Sequence, residues 1–517
     1  MSARAAALWV LLAVIWFGTL GIRPLYKADE SRYGEISREM VASGDWITPR
    51  LNGFKYFEKP PLQYWTTAAL FEVFGEHDWV ARLWTALIGF AGILMALYAG
   101  ERLFGPPTGI YAAAVLAASP LYVLLGQVNT LDMSVAFFLS AAIFAFALGH
   151  MLLFWAACAL AVLSKGLIGI VLPGGALFLY MLVKRDWGLV RRVRLAPGAA
   201  VFLAITAPWF IAVSVANAEF AHFFFIQEHF QRFTTQMHHR VHPAWYFIPV
   251  LAAGMAPWLV ALGHAAVRAL KRRTDTELLL WIWAAVVFAF FSASGSKLPP
   301  YILPIFPALA VVVARSLTRP VLIAQALVMA PIALGAGLAV HTLGANGPYA
   351  EYASWILIAT FVLALAAAAA LFMAWRFRLT GAALALSIGS IVAMQIGIAG
   401  HRTLAERFSV ASTVAALPEQ PAPNVPVFAV DMYDHTLPWS LKRTVTMVGY
   451  RDELGDAVDW DKAKFVPDLM TFARLWKEAP QAWAFLPVNE VDKLPRELDI
   501  PVQVMARGAQ YAILKKP

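Results

Sequence analysis

Residues 353–375 read Ala-Ser-Trp-Ile-Leu-Ile-Ala-Thr-Phe-Val-Leu-Ala-Leu-Ala-Ala-Ala-Ala-Ala-Leu-Phe-Met-Ala-Trp, and Arg376-Phe377-Arg378 follows directly. The run carries no charge. About 20 such residues are what a helix needs to cross the hydrocarbon core of a bilayer. A helix is also the only single segment that satisfies its own backbone polar groups there. Working outward, runs of the same kind lie at 320–341 and 380–400, then back along the chain at 301–314, 278–294, 246–267, 196–216, 166–183, 151–164, 131–148, 107–126, 79–100 and 6–25. That gives thirteen expected spans, of which 151–164 and 301–314 are short. The whole chain agrees: 60% of residues are hydrophobic and 14% charged, against roughly 25% charged in soluble domains. Disorder, a disulfide scaffold and an ordinary soluble enzyme are excluded. The fold class is an α-helical polytopic membrane protein.

Charge in the short loops orients it. An inner N-terminus makes cytoplasmic the loops with Arg102, with Lys184, Arg185, Arg191, Arg192 and Arg194, with Arg268, Lys271, Arg272 and Arg273, with Arg315 and Arg319, and with Arg376 and Arg378. The opposite loops near 127–130 and 342–352 have no Lys or Arg, and 295–300 has only Lys297. This is the positive-inside pattern, and thirteen crossings then leave the C-terminus outside. The net charge of +9 is therefore a mark of topology and implies no nucleic-acid partner. Cys158 is the single cysteine, so no intrachain disulfide forms. No small-residue cleavage site precedes Arg23, so the first run is expected to stay as a span. Residues 149–152, Gly-His-Met-Leu, are so short a loop that they read as a join across missing residues.

Two outer loops are long, 24–78 and 218–245. The first holds two helix patterns. One starts near Asp29, puts Tyr33, Ile36 and Met40 on one face, and stops at Gly44; the other follows Pro60-Pro61 through Leu62, Trp65 and Phe71 to Gly75. Proline at the start and glycine past the end are the expected punctuation. Both are short and amphipathic, and are expected to lie along the membrane surface. From 401 the composition changes. Val425–Val430, 444–448 and 482–486 read as strands and Pro467–Lys477 as a helix, a small α/β domain. The expected division is thus a membrane domain, 1–400, including both outer loops, and an outer α/β domain, 401–517. No glycine-rich nucleotide motif and no zinc-type cysteine spacing occurs.

The chemistry concentrates in the first outer loop: Asp29-Glu30-Ser-Arg32-Tyr33-Gly-Glu35, then Tyr56-Phe-Glu58-Lys59-Pro60-Pro61-Leu62. As a helix N-cap, Asp29 would accept a backbone N–H. Capping accounts for one aspartate but not for its company. Lys59, Lys165, Arg232 and Lys297 all fall at the outer face, where they can meet a lipid phosphate. Lys165 interrupts an apolar region, and an ionisable group at membrane depth is a functional candidate; snorkelling to the headgroups is the competing reading. Arg232 suits planar recognition of phosphate, and Tyr301 can add a hydroxyl. Asp132, in Asn129-Thr-Leu-Asp132, either caps the fourth span or orients a lysine or a sugar.

With Asp29-Glu30-Ser-Arg32-Tyr33-Gly-Glu35, Phe57-Glu58-Lys59-Pro60-Pro61-Leu62, Asp132, Ser164-Lys165-Gly166 and Ser296-Lys297-Leu-Pro-Pro-Tyr301, the chain resembles the GT-C glycosyltransferases. Within them it is similar to the bacterial lipid A 4-amino-4-deoxy-L-arabinose transferases. The resemblance implies a multi-pass enzyme of the bacterial inner membrane with its site and C-terminal domain in the periplasm. It implies an undecaprenyl phosphate-aminoarabinose donor, a lipid A phosphate as acceptor, and resistance to polymyxin and other cationic peptides. Asp29 and Asp132 would be catalytic. Lys59, Lys165, Arg232, Tyr301, Arg32, Tyr33, Tyr56 and Lys297 would bind substrate. Glu58 and His229 would hold a divalent ion such as zinc if one binds; no cofactor is expected to be required. A monomer among membrane lipids is expected. Two rivals remain: a GT-C enzyme acting on a protein or glycan hydroxyl, and a lipid flippase or transporter. A transporter places its charges near mid-membrane, often in repeated halves; here they gather at the outer face without a repeat.

Overall fold

The computed structural model describes the backbone of residues 3–231 and 242–517, with side chains except at 3–5, 228–231 and 452. Arg232 and the side chain of His229 lie outside the described residues. By its internal contacts the chain forms two units. One comprises Met1–Leu20, Glu58–Gln63 and Leu83–Gly400; the other comprises Gly21–Phe57, Tyr64–Arg82 and His401–Pro517. Most of 24–78, expected to group with the spans, thus packs with the C-terminal region.

The first unit is helical. Every run read as a span contains a helix, but length and composition alone qualify six among the described residues: Asp78–Phe104, Leu195–Ala216, Asp275–Ala293, Arg319–Gly344, Ala350–Trp375 and Leu379–Phe408. A seventh is the pair Ala244–Gly254 and Ala256–Lys271, bent by 76°. The other runs are shorter or broken for identifiable reasons. The 107–126 run stops at Ala117 and restarts at Pro120. The 301–314 run opens as a 3₁₀ helix, Pro299–Ile305, because three prolines there remove backbone donors.

The junction at 149–152, read as a join, is folded as a tight turn. Gly149 adopts φ +82. Its N–H reaches Phe146 O at 3.0 Å, and the His150 N–H reaches Ala145 O at 2.8 Å. Only glycine takes this left-handed conformation without steric cost. The helices on either side, Asp132–Ala147 and Met151–Lys165, pack as a hairpin of nearly equal arms. The start of the first and the end of the second therefore lie at one end. Gly169, which opens the next helix, passes so close to Ala161 and Val162 backbone that a Cβ would sit 2.4 Å from Val162 N.

The second unit is α/β. Its hairpin pairs β1 (Arg50–Leu51) with β2 (Phe54–Lys55), turning at Asn52, φ 52, and Gly53, φ 80. Its main sheet contains β3 (Val427–Val430), β4 (Thr446–Val448), β5 (Phe465–Val466), β6 (Trp483–Pro487), β7 (Gln503–Arg507) and β8 (Tyr511–Lys515) in the order β5-β4-β3-β6-β8-β7. The first four strands of that list in sequence are parallel, and β8 runs antiparallel to both its neighbours. Phe428, Val430, Phe472, Trp476 and Leu514 form its core. Three expected strands and the Leu469–Glu478 helix are present. β5, β7 and β8 escaped notice, being too short or too mixed in polarity for period-2 alternation.

The helix Asp29–Ser43 ends at Gly44, φ 70, and Leu62–Phe74 ends at Gly75, φ 81, as read. The expectation of a one-sided amphipathic helix at Asp29–Ser43 is corrected. Residues Glu30 to Met40 are buried on every face. Its polar side chains are paired inside the unit: Glu30 with Arg23 and Arg82, and Glu35 with Arg38 at 2.6 Å. Glu39 accepts the Gly53 N–H at 2.8 Å. Asn52 brackets Val445, donating to its carbonyl at 2.9 Å and accepting its N–H at 2.7 Å.

Candidate active site

In the helical unit, a cavity of about 280 Å³ is lined by Glu58, Lys59, Asp132, Lys165 and Tyr301 beside apolar walls that include Leu139, Val171, Phe290 and Phe291. The hairpin explains the first pairing. Asp132 begins one helix and Lys165 ends its partner, and the two form an ion pair with each side chain about one-sixth exposed. Each charge also sits at the helix end whose dipole favours it. Asp132 makes no capping bond, so the N-cap reading fails for it. Lys165 is held by this pair, with its ammonium 4.9 Å from the Tyr301 ring centroid. Lys59 donates to the Glu58 carbonyl at 2.8 Å and lies 3.7 Å from the Glu58 carboxylate.

Lys297 does not line this cavity. It is 5% exposed, and its ammonium donates to the Ser294 carbonyl at 2.6 Å. The Ser-Lys-Leu-Pro-Pro-Tyr segment thus contributes Ser296, Pro300 and Tyr301 to the lining, with Lys297 closing its own turn. No group of three or more His, Cys, Asp or Glu among the described residues could hold a metal ion. The Glu58 carboxylate has the Lys59 ammonium 3.7 Å away, a cation where a metal ion would have to sit.

In the α/β unit, Asp29 is the first residue of its helix; the cap position is Ala28, and Asp29 makes no capping bond. Its carboxylate is half exposed and lies 3.3 Å from Arg32 Nη1. Arg32 is nearly buried and reaches Glu453 at 2.6 Å, and the other Glu453 oxygen meets His435 Nε2 at 2.6 Å. Tyr33 and Tyr56 are 5% and 2% exposed. They pack beside the Arg32 charge, Tyr33 with its ring centroid 5.9 Å from the guanidinium, which leaves Asp29 as the accessible member of this group. Glu453 and His435 were not legible as candidates, because nothing in their local sequence marks them. Arg23 and Arg82 could have been noticed as arginines flanking apolar runs.

Glu30, next to Asp29, is enclosed. Arg82 Nε lies 2.7 Å from it, Arg23 pairs with it as well, and Arg82 also holds the carbonyls of Arg23 and Pro24 at 2.9 and 2.7 Å. Burial alone would raise its pKa, but the two guanidiniums outweigh burial and hold it well below the usual carboxylate range. Glu39 behaves oppositely: burial, and then the charge of Glu35, push it up to about 8.

A bundle of apolar helices with cations at one end of an apolar cavity, in a chain that also carries an α/β unit, defines a GT-C-like polytopic membrane protein. Comparison makes this specific. Residues 58–211 match the family described as dolichyl-phosphate-mannose-protein mannosyltransferase, and 413–516 match the aminoarabinose transferase C-terminal domain. The crystal structure of ArnT from Cupriavidus metallidurans bound to undecaprenyl phosphate superposes with a TM-score of 0.95 at 36% identity, covering 100% of this chain and 99% of that one. Its apo state gives 0.93. The chain belongs to the undecaprenyl phosphate-4-amino-4-deoxy-L-arabinose arabinosyltransferase family. The transferase of that name from Aeromonas hydrophila is 35% identical over 311 residues, 57% of this chain and 56% of that protein. The one from Shewanella sediminis is 34% identical over 329 residues, 58% and 57%. The aligned stretch thus spans a little over half the length of these curated relatives.

Proposed function

We propose that this protein transfers 4-amino-4-deoxy-L-arabinose from undecaprenyl phosphate to a phosphate of lipid A, at the periplasmic side of the bacterial inner membrane. The observation that carries the reading is the cavity in which Lys59, Lys165 and Tyr301 meet apolar walls: a lipid phosphate needs fixed cations at one end and hydrocarbon along the rest. The leaving group is then a phosphomonoester, and cations already in place stabilise its growing charge. The acceptor phosphate is anionic near neutral pH, so it needs little help from a base. Asp29 is the principal catalytic carboxylate, acting on the sugar as base, as partner of its ammonium, or against positive charge developing on the ring. Adding aminoarabinose masks lipid A phosphate charge, which supports resistance to polymyxin and related cationic peptides. Lipid A extracted from cells with and without the protein tests this by mass spectrometry. The expected result is an aminoarabinose adduct only with the protein; its absence removes the proposal.

Lys59 and Lys165 give a sharper test. A charge-assisted contact to phosphate is worth roughly 1.5–3 kcal/mol, so Lys59→Met or Lys165→Met is expected to weaken undecaprenyl phosphate binding roughly ten- to a hundred-fold. The double variant should lose less than the product of the two, because they share a partner. Unchanged affinity in both single variants, measured on purified protein, would take the phosphate out of the cavity.

A further inference from the structure

The lining of this cavity comes from four separate stretches of chain, at 58–59, 132–139, 165–172 and 290–304, and one buried amide is bonded close to two of them. Gln63 is 0% exposed. Its Nε2 donates to Asn129 Oδ1 at 2.9 Å and to Thr85 Oγ1 at 3.4 Å. Its Oε1 accepts the Ser134 hydroxyl at 3.3 Å, and that hydroxyl in turn accepts the Trp84 indole N–H at 2.9 Å. Asn129, Thr85 and Ser134 are each 0% exposed as well. None of these four lines the cavity.

We infer that Gln63 is a positioning residue that sets the spacing between Lys59 and the Asp132–Lys165 pair, and so the size of the anion the cavity accepts. The inference rests on the reading of the cavity as a phosphate site. Its logic is mechanical. Lys59 is joined to the Gln63 helix through Pro60-Pro61, whose backbone φ angles are locked by their rings. A displacement of Gln63 is thus passed to Lys59 with little slack. Asn129 and Ser134 flank Asp132 on either side, so the same amide grips the turn from which Asp132 reaches Lys165. In an apolar interior such polar groups have no water to turn to, so they hold one arrangement. A methionine or leucine would fill the same space without dictating it.

Gln63→Met keeps the length and removes the amide. Binding of undecaprenyl phosphate to the purified, folded protein should weaken about tenfold, while Lys59, Asp132 and Lys165 are untouched. Ser134→Ala, which removes one bond of the group and is mild enough to fold, should weaken it about threefold. The decisive measurement is the combination with Lys59→Met. If Gln63 acts through Lys59, adding Gln63→Met to Lys59→Met costs less than threefold further. A general loosening of the fold would instead multiply the two effects, and that result overturns the inference. So does unchanged affinity in both Gln63→Met and Ser134→Ala when the wild-type protein binds the lipid. A wild-type protein that does not bind undecaprenyl phosphate at all overturns the phosphate reading itself, a distinct outcome.

Discussion

Purified Asp29→Asn is expected to transfer aminoarabinose about two to four orders of magnitude more slowly than the wild type, with undecaprenyl phosphate affinity unchanged. The substitution keeps the side-chain volume and removes one charge. Asp29 makes no capping bond, so losing its carboxylate does not undo a helix start. Its partner Arg32 keeps the 2.6 Å contact to Glu453, so the guanidinium is not stranded. The effect should therefore appear in turnover and not in folding. Single-turnover transfer from a donor already bound separates the two. Full activity in the folded variant would return Asp29 to an ordinary helix residue.

The second large effect concerns stability, one residue further on. Glu30→Gln leaves Arg23 and Arg82 buried at 6% and 1% exposure without their shared carboxylate. Breaking a buried pair from one side costs about 3–5 kcal/mol. Amide hydrogen exchange along Asp29–Ser43 should report it as lost protection. The pH sign follows from the direction of the shift. The folded value of Glu30 lies below its unfolded one, so its contribution is complete above the unfolded value, about 4.3, and disappears as pH falls through the folded one. Glu39 provides the contrast. Raised to about 8, it contributes below the unfolded value and loses that contribution as pH rises through 8. Glu39→Gln should thus be tolerated best in alkaline solution and Glu30→Gln worst at neutral pH. Equal protection in wild type and Glu30→Gln at pH 7 would mean that the two arginines find other partners.

Much of the architecture could be read one segment at a time. The apolar runs at 320–341, 353–375 and 380–400 became the helices Arg319–Gly344, Ala350–Trp375 and Leu379–Gly400 because backbone satisfaction and hydrophobicity are both local demands. Gly44 and Gly75 ended their helices with positive φ as read. The Asp29–Ser43 helix misled, because its polar residues looked like a solvent face. They are an interior set whose partners, Arg82 among them, come from other segments.

By itself the sequence determined the apolar helical runs, three of the six strands of the main sheet, the glycines that end Asp29–Ser43 and Leu62–Phe74, and that carboxylates and lysines gather in a few short motifs. Those features depend on side-chain periodicity and on turn chemistry within a few residues. The tertiary structure alone decided that Asp132 faces Lys165, that Lys297 turns to Ser294 instead of the cavity, and that Glu453 stands against Arg32. Each is a choice among several possible partners. That choice is made when packing brings one of them within hydrogen-bond reach and shields the contact from most of the surrounding water.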